Sequence, residues 1–275
     1  MQRPIIVAKN VTFKYPGTGC GVTKVDFKVY PGECVGLIGP NGAGKSTFLL
    51  HLDAILIPQK GEVIVDNLNT LQPKDRLLVR QKVGFVFQDP NDQIFKNTVE
   101  EEVAYGPLNM GFQPEEVMQR VNKALRNVGL EGYNERITYN LSFGEKKKLS
   151  IASVLSMDPE ILVFDEPTLN LDPQGVESLL NLLLYLKKQG KTLIIATHSI
   201  EFIGELADRC YVLDRGKIRK EGTIEAVLTD LEHLKKHGLR PTIMTQLFVE
   251  LDLPQPYPLT LKQAKSRIES LLNLG

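Results

Sequence analysis

A chain of 275 residues can bury a large core and hold one or two domains. Apolar residues make up 42% and charged residues 24%, the composition of a soluble globular protein. Thirty-three basic residues balance thirty-three acidic ones, which excludes a global field for nucleic acid or for an anionic membrane.

Residues 7–30 alternate in two blocks, Val11, Phe13 and Tyr15, then Val25, Phe27 and Val29, predicting two strands with one buried face each. Pro16-Gly17 and Pro31-Gly32 end them as turns. Tyr15 at the first strand's end is either half-buried packing or a stacking platform for a base, worth about 1–3 kcal/mol by analogy with nucleic-acid stacking.

An apolar run, a glycine-rich turn and a helical start follow at residues 35–50. Gly39, Gly44, Lys45 and Ser46 fit the phosphate-loop pattern G-x-x-x-x-G-K-[ST]. Glycines let successive backbone N–H groups turn inward, and the next helix adds its partial positive charge. Lys45 is placed to reach outer phosphates and the Ser46 hydroxyl to hold Mg²⁺, so a nucleoside triphosphate is the expected ligand.

Residues 62–65 and 83–87 read as strands around a short polar helix at 75–80, and Gln88 closes the second as a candidate for the metal shell. From 93 to 158 the pattern is helical, with capping boxes at Thr98 and Glu101 and at Ser142 and Glu145. Pro114 opens a helix with Val117, Val121, Ala124, Leu125 and Val128 on one face and Gly129 as its stop. This is a helical insertion in an α/β chain. Strands resume at 161–164 and 193–196, Asp172-Pro173 opens a helix between them, and 211–213 with 218–221 form a last hairpin. That alternation predicts a largely parallel sheet covered on both faces. Residues 231–275 form a helical appendix. Thr260 and Gln263 cap its last helix, whose apolar face is Leu261, Ala264, Ile268, Leu271 and Leu272, packed either on its own domain or on a second subunit.

The chemistry gathers at strand ends, where parallel sheets bind ligands. Asp165 is a candidate to hold Mg²⁺ through its water shell, and Glu166 to polarise the attacking water as general base, an effect of about 10²–10⁴ in rate. Alone, two adjacent acids would more simply be a surface turn. His198 follows the strand at 193–196 and would bond the terminal phosphate or hold the water with Glu166. Ser142 and Gly144 open a helix whose free N–H groups make a second anion site. One nucleotide needs one cradle, so the second predicts a neighbouring chain and a nucleotide-bridged dimer. Cys20, Cys34 and Cys210 have no zinc or redox spacing and read as free thiols of a reducing compartment. The most apolar run, residues 179–186, contains Asn181 and falls short of a membrane span, and no secretory leader follows Arg3.

In this order the motifs resemble an ATP-binding cassette (ABC) ATPase over residues 1–230. Tyr15 matches the adenine-stacking position, Gly39, Pro40, Asn41, Gly42, Ala43, Gly44, Lys45, Ser46 and Thr47 the Walker A motif, and Gln88 the Q-loop. Residues 141–145 match the signature, 161–166 Walker B with its glutamate, Leu171-Asp172 the D-loop and His198 the switch histidine. The resemblance implies a P-loop NTPase core with a mostly parallel sheet, N-terminal antiparallel strands, a helical subdomain near 93–158 and a C-terminal extension at 231–275. It also implies ATP and Mg²⁺ as cofactors and a head-to-tail dimer with two ATPs between Walker A and the partner's signature. Phe143 and Glu145 depart from the family's Leu-Ser-Gly-Gly-Gln: Phe143 would resist a positive φ and Glu145 adds charge beside a phosphate. Residues 87–95, 98–101 and 104–107 further resemble the ATPase of energy-coupling-factor importers, cobalt and nickel branch. That implies a second ATPase subunit, a transmembrane coupling protein and a membrane substrate-binding protein, at the cytoplasmic face of the cell membrane, with no nucleic acid. An ABC exporter ATPase would have a different Q-loop neighbourhood. A soluble ABC protein acting on nucleic acid or ribosomes would usually carry two cassettes or a long coiled-coil insert.

Overall fold

Two sheets organise the computed structural model, which describes residues 3–272. Residues 273–275, the end of the appendix expected at 231–275, lie outside the described residues. The strands are β1 (Ile6–Lys14), β2 (Gly21–Val29), β3 (Cys34–Ile38), β4 (Lys60–Val65), β5 (Leu68–Asn69), β6 (Val83–Val86), β7 (Ile161–Asp165), β8 (Thr192–Thr197), β9 (Arg209–Asp214) and β10 (Lys217–Thr223).

The first sheet is antiparallel in the order β2-β1-β4-β5. In β2 a period of two places Val25, Phe27 and Val29 inward, and a register irregularity beside Lys24, at φ 51°, brings Val22 to the same face. Asp66 and Asn67 take φ of 42° and 69°, the left-handed pair that folds β4 back as a hairpin with β5. The strand expected at 62–65 therefore pairs with β1 and stays out of the parallel sheet.

The second sheet runs β10-β9-β3-β8-β7-β6. Only β10 is antiparallel, and β3, β6, β7 and β8 are buried along their whole length, which is why they read as unbroken apolar runs. Alternate residues supply two cores. Leu162 and Phe164 join a core with Val103, Leu125, Leu149 and Leu183, while Ile161 and Val163 join Phe27, Phe48 and Val63 under the antiparallel sheet.

The insertion consists of helices Val99–Asn109, Pro114–Val128 and Phe143–Leu155. Both expected capping boxes form, and Gly129 ends the middle helix at φ 69°. After β10 come helices Ile224–Leu228, Leu231–Lys236, Ile243–Glu250 and Leu261–Leu271. Leu234, Leu239 and Leu259 join the same core as Leu162 and Phe164, yet in the last helix only Ala264 of the expected apolar face is buried. Registers Ile38↔Thr197, Asp165↔Ala196 and Val86↔Phe164 bring the C-terminal ends of β3, β8, β7 and β6 level along one edge.

Candidate active site

That edge collects the candidate residues: the phosphate loop after β3, Gln88 past β6, Asp165 and Glu166 at the end of β7, and His198 past β8. Residues 41–47 line one cavity of about 480 Å³ with Gln88, Glu166 and His198. Cys20, Gly21 and Leu169 complete its wall. None of these three carries a site pattern in the sequence, because Cys20 and Leu169 lie in loops and Gly21 opens β2, and only the fold brings them to the cavity.

The loop needs its glycines for two reasons. A Cβ on Gly39 would stand 2.1 Å from the Leu213 carbonyl oxygen, at the end of β9. Gly44 precedes helix Lys45–Leu52 at φ 101°, a left-handed conformation that L side chains resist. The helix then begins with free N–H groups facing the concavity. The Pro40 carbonyl accepts from the Ala43 N–H at 3.2 Å, and the Thr47 carbonyl accepts from the His51 ring at 2.7 Å. Lys45 is buried and donates to the carbonyls of Gly39 (2.8 Å) and Pro40 (3.3 Å). Its Nζ also stands 3.2 Å from Glu166 Oε1.

Glu166 is a strained residue with φ 44°, a conformation costing about 1–3 kcal/mol and typical of functional sites. Its N–H donates to the Ala196 carbonyl at 2.8 Å, which pins it to β8. Its Oε2 accepts from the His198 backbone N–H at 3.3 Å and from His198 Nδ1 at 2.9 Å. A carboxylate only accepts, so Nδ1 carries the proton and Nε2 is left for another partner.

Asp165 is buried, with Oδ1 lacking a hydrogen-bond partner. Burial pushes its carboxyl up, against the pull of the Ser46 hydroxyl, while Glu166 adds to the rise and Lys45 opposes it. An orphaned buried oxygen beside a hydroxyl is the hard-oxygen pair that Mg²⁺ takes. Among the described residues no group of three or more His, Cys, Asp or Glu could hold a metal. The donor set thus fits an ion that shares few protein ligands with substrate phosphates.

The other candidates lie apart. Tyr15 rests edge-on against Phe13 with ring centroids 5.1 Å apart and does not line the cavity. Its N–H donates to the carbonyl of Cys20, which does line it. Ser142 and Gly144 line a separate cavity of about 670 Å³ with Asp172, and the two cavities share no residue. Ser142 Oγ accepts from the Glu145 N–H at 3.3 Å, and Glu145 Oε2 accepts from the Ser142 N–H at 2.8 Å. That backbone bond holds the Glu145 carboxyl below its ordinary value and ties it to the helix start, where Glu145 lines the same cavity as Ser142 and Gly144. The strain expected at Phe143 does not arise. Phe143 is the first residue of a right-handed helix and takes no positive φ.

Lys147 on that helix was not among the expected site residues. It is buried, and its Nζ donates to the carbonyls of Phe87 (3.0 Å) and Gln88 (2.8 Å). Desolvation brings its ammonium down to about 8. Three lysines in a row read as a solvated face, and only the packing turns the middle one inward.

A family model described as ABC transporter matches residues 22–169. The energy-coupling factor transporter ATP-binding protein EcfA of Methanocaldococcus jannaschii is 47% identical over 237 residues, 86% of this chain and 85% of that protein. The protein of the same name from Methanosphaera stadtmanae is 43% identical over 267 residues, 94% of this chain and 96% of that one. Among solved structures, CbiO1 of Clostridium perfringens, part of the ABC transporter complex CbiONQ, has a TM-score of 0.76 at 32% identity, covering 92% of this chain and 100% of that one. A dimeric post-hydrolysis structure of the ATP-binding cassette MJ0796 with ADP and phosphate has a TM-score of 0.73 at 32% identity, covering 80% and 98%.

Proposed function

Because the chain belongs to the ABC transporter family and is an ATP-hydrolysing transporter subunit, we propose that it drives an energy-coupling-factor-type importer of a metal ion such as cobalt or nickel, or of a vitamin. In this reading ATP sits in residues 39–47 with its base near Tyr15. Ser46, Gln88 and Asp165 would hold Mg²⁺, which would supply charge neutralisation to the phosphates. Terminal phosphate oxygens compete with Glu166 for Lys45, and when Lys45 turns to them Glu166 is freed from its ion pair. Glu166 then accepts the proton of the attacking water, and His198 holds its carboxylate in line. The observation that carries the reading is Glu166, strained at φ 44° and gripped by His198 at 2.9 Å beside the phosphate loop.

Ser142 and Gly144 line a different cavity from that of their own phosphate loop. This supports a head-to-tail dimer in which they close on the partner's ATP. Phe95, 61% exposed, Tyr105 and Leu108 form an apolar patch over the helical insertion, with the Lys96 ammonium 5.3 and 4.6 Å from the two rings. We assign this patch to a helix of the transmembrane coupling protein, with the substrate-binding membrane protein beyond it. Among the described residues no helix is long and apolar enough to cross a membrane, so these partners would hold the chain at the cytoplasmic face. Balanced charge speaks against nucleic acid as a partner.

Glu166→Gln tests the assignment. Turnover should fall by about 10²–10⁴ while ATP still binds, and an ATP-held dimer should accumulate on gel filtration. Wild-type turnover in this variant would remove Glu166 as the base.

A further inference from the structure

Among the described residues only Lys45 and Lys147 are buried lysines, and Lys147 is 1% exposed. Lys45 belongs to the phosphate loop. Lys147 lies on helix Phe143–Leu155, whose start carries Ser142, and spends its ammonium on the Phe87 and Gln88 carbonyls at 3.0 and 2.8 Å. These are the first two residues after β6.

The same helix also holds the far end of that segment. Gln93 Nε2 donates to the Ser150 carbonyl at 2.8 Å and to Ser153 Oγ at 3.2 Å, while Gln93 Oε1 accepts from the Phe87 N–H at 3.2 Å. Lys146 Nζ donates to Asn91 Oδ1 at 3.1 Å. Residues 87–93 are thus bonded to the helix at three points. Asp165, Asp89 and Glu166 all act on Lys147 electrostatically in the sense that keeps it charged. An ammonium held between two carbonyls fixes the direction in which the Gln88 side chain leaves the backbone.

We propose that Lys147 is a positioning residue for Gln88, coupling the helix that would meet a second subunit at Ser142 to the residue that would complete the metal shell. This rests on the reading of Gln88 as a Mg²⁺ ligand given above. A displacement of the helix is transmitted through the Lys147 ammonium, so Gln88 moves with it. A residue that merely filled the core would stabilise the helix without setting how strongly the metal counts in nucleotide binding.

The test measures ATP affinity by binding titration with and without Mg²⁺, in the Glu166→Gln background so that no hydrolysis intervenes. Lys147→Met keeps length and packing and removes the donors. The gain in ATP affinity conferred by Mg²⁺ should fall by about 10–100-fold, the range for partners that orient a metal ligand, while Mg²⁺-free affinity stays put. Lys147→Arg, which keeps charge and donors, should restore most of the gain. In a Gln88→Ala chain, Lys147→Met should add no further loss, because the two act as one unit. Additive losses, or an equal loss with and without the metal, would overturn the proposal and leave Gln88 as a ligand. An undiminished Mg²⁺ gain in Gln88→Ala alone would overturn the ligand reading and this inference together. Where Lys147→Met does not fold, Lys147→Gln, polar but too short to span both carbonyls, is read against the same outcomes.

Discussion

Asp53 ends helix Lys45–Leu52 with a buried carboxyl whose Oδ1 finds no partner. Burial pushes this group up to about 8 against the pull of the Arg80 guanidinium. An unfolded aspartate releases its proton near about 4, so between there and about 8 the folded chain binds a proton that the unfolded chain has lost. Stability from this site therefore falls as pH rises across that window and is level above it. Asp53→Asn removes the titration. Its melting temperature should gain on the wild type steadily from pH 5 to pH 8, and parallel pH profiles would show that Asp53 stays ionised. At the same scale, the pairing of Glu166 with Lys45 and His198 joins residues 121 and 32 positions apart, a distance no local pattern encodes. Lys147 is likewise legible only as one of three consecutive lysines until the Phe87 and Gln88 carbonyls are seen above it.

The strand–loop–helix unit from β3 to helix Lys45–Leu52 is the element the site depends on. Its first glycine is explained less by the loop's own curl than by its neighbour, because Gly39 abuts the Leu213 carbonyl. Gly39→Ala should force the phosphate loop away from the end of β9. A melt should show a loss of about 1–3 kcal/mol, the usual cost of overpacking, and ATP affinity should drop at least tenfold. Normal affinity in a folded Gly39→Ala protein would mean that the loop tolerates the shift. The capping boxes at Thr98 and Ser142 form as their four-residue spacing dictates. The second box also bonds one Glu145 oxygen to the Ser142 N–H, and the carboxylate stays in the cavity that Ser142 and Gly144 line.

At the scale of the whole molecule, the C-terminal helices are half committed. Leu234, Leu259 and Phe248 are buried, whereas Ile243 (64% exposed), Leu247 and Leu251 form an outward stripe at i, i+4 and i+8. Leu261, 71% exposed, and Ile268 extend apolar surface on the last helix. We propose that this surface contributes to the contact between two ATPase subunits. Leu247→Lys places a charge there without touching the core. It should shift the nucleotide-free protein toward monomer in light scattering, and an unchanged dimer would free the stripe from that role. Truncation at 231 is the poorer test, since it strips Leu234 and Leu259 from the core as well.

Strand and helix positions, capping boxes, the phosphate loop and the acid pair after β7 are all carried by residues close together in the chain. Period, spacing and chemistry specify them locally, and the order of the motifs is enough for the family. The division into two sheets, the separation of Ser142 from its own phosphate loop, the strain at Glu166 and the inward turn of Lys147 belong to the folded molecule alone. Each depends on which distant segments share a buried space, where a single unpaired carbonyl or carboxylate must find a partner.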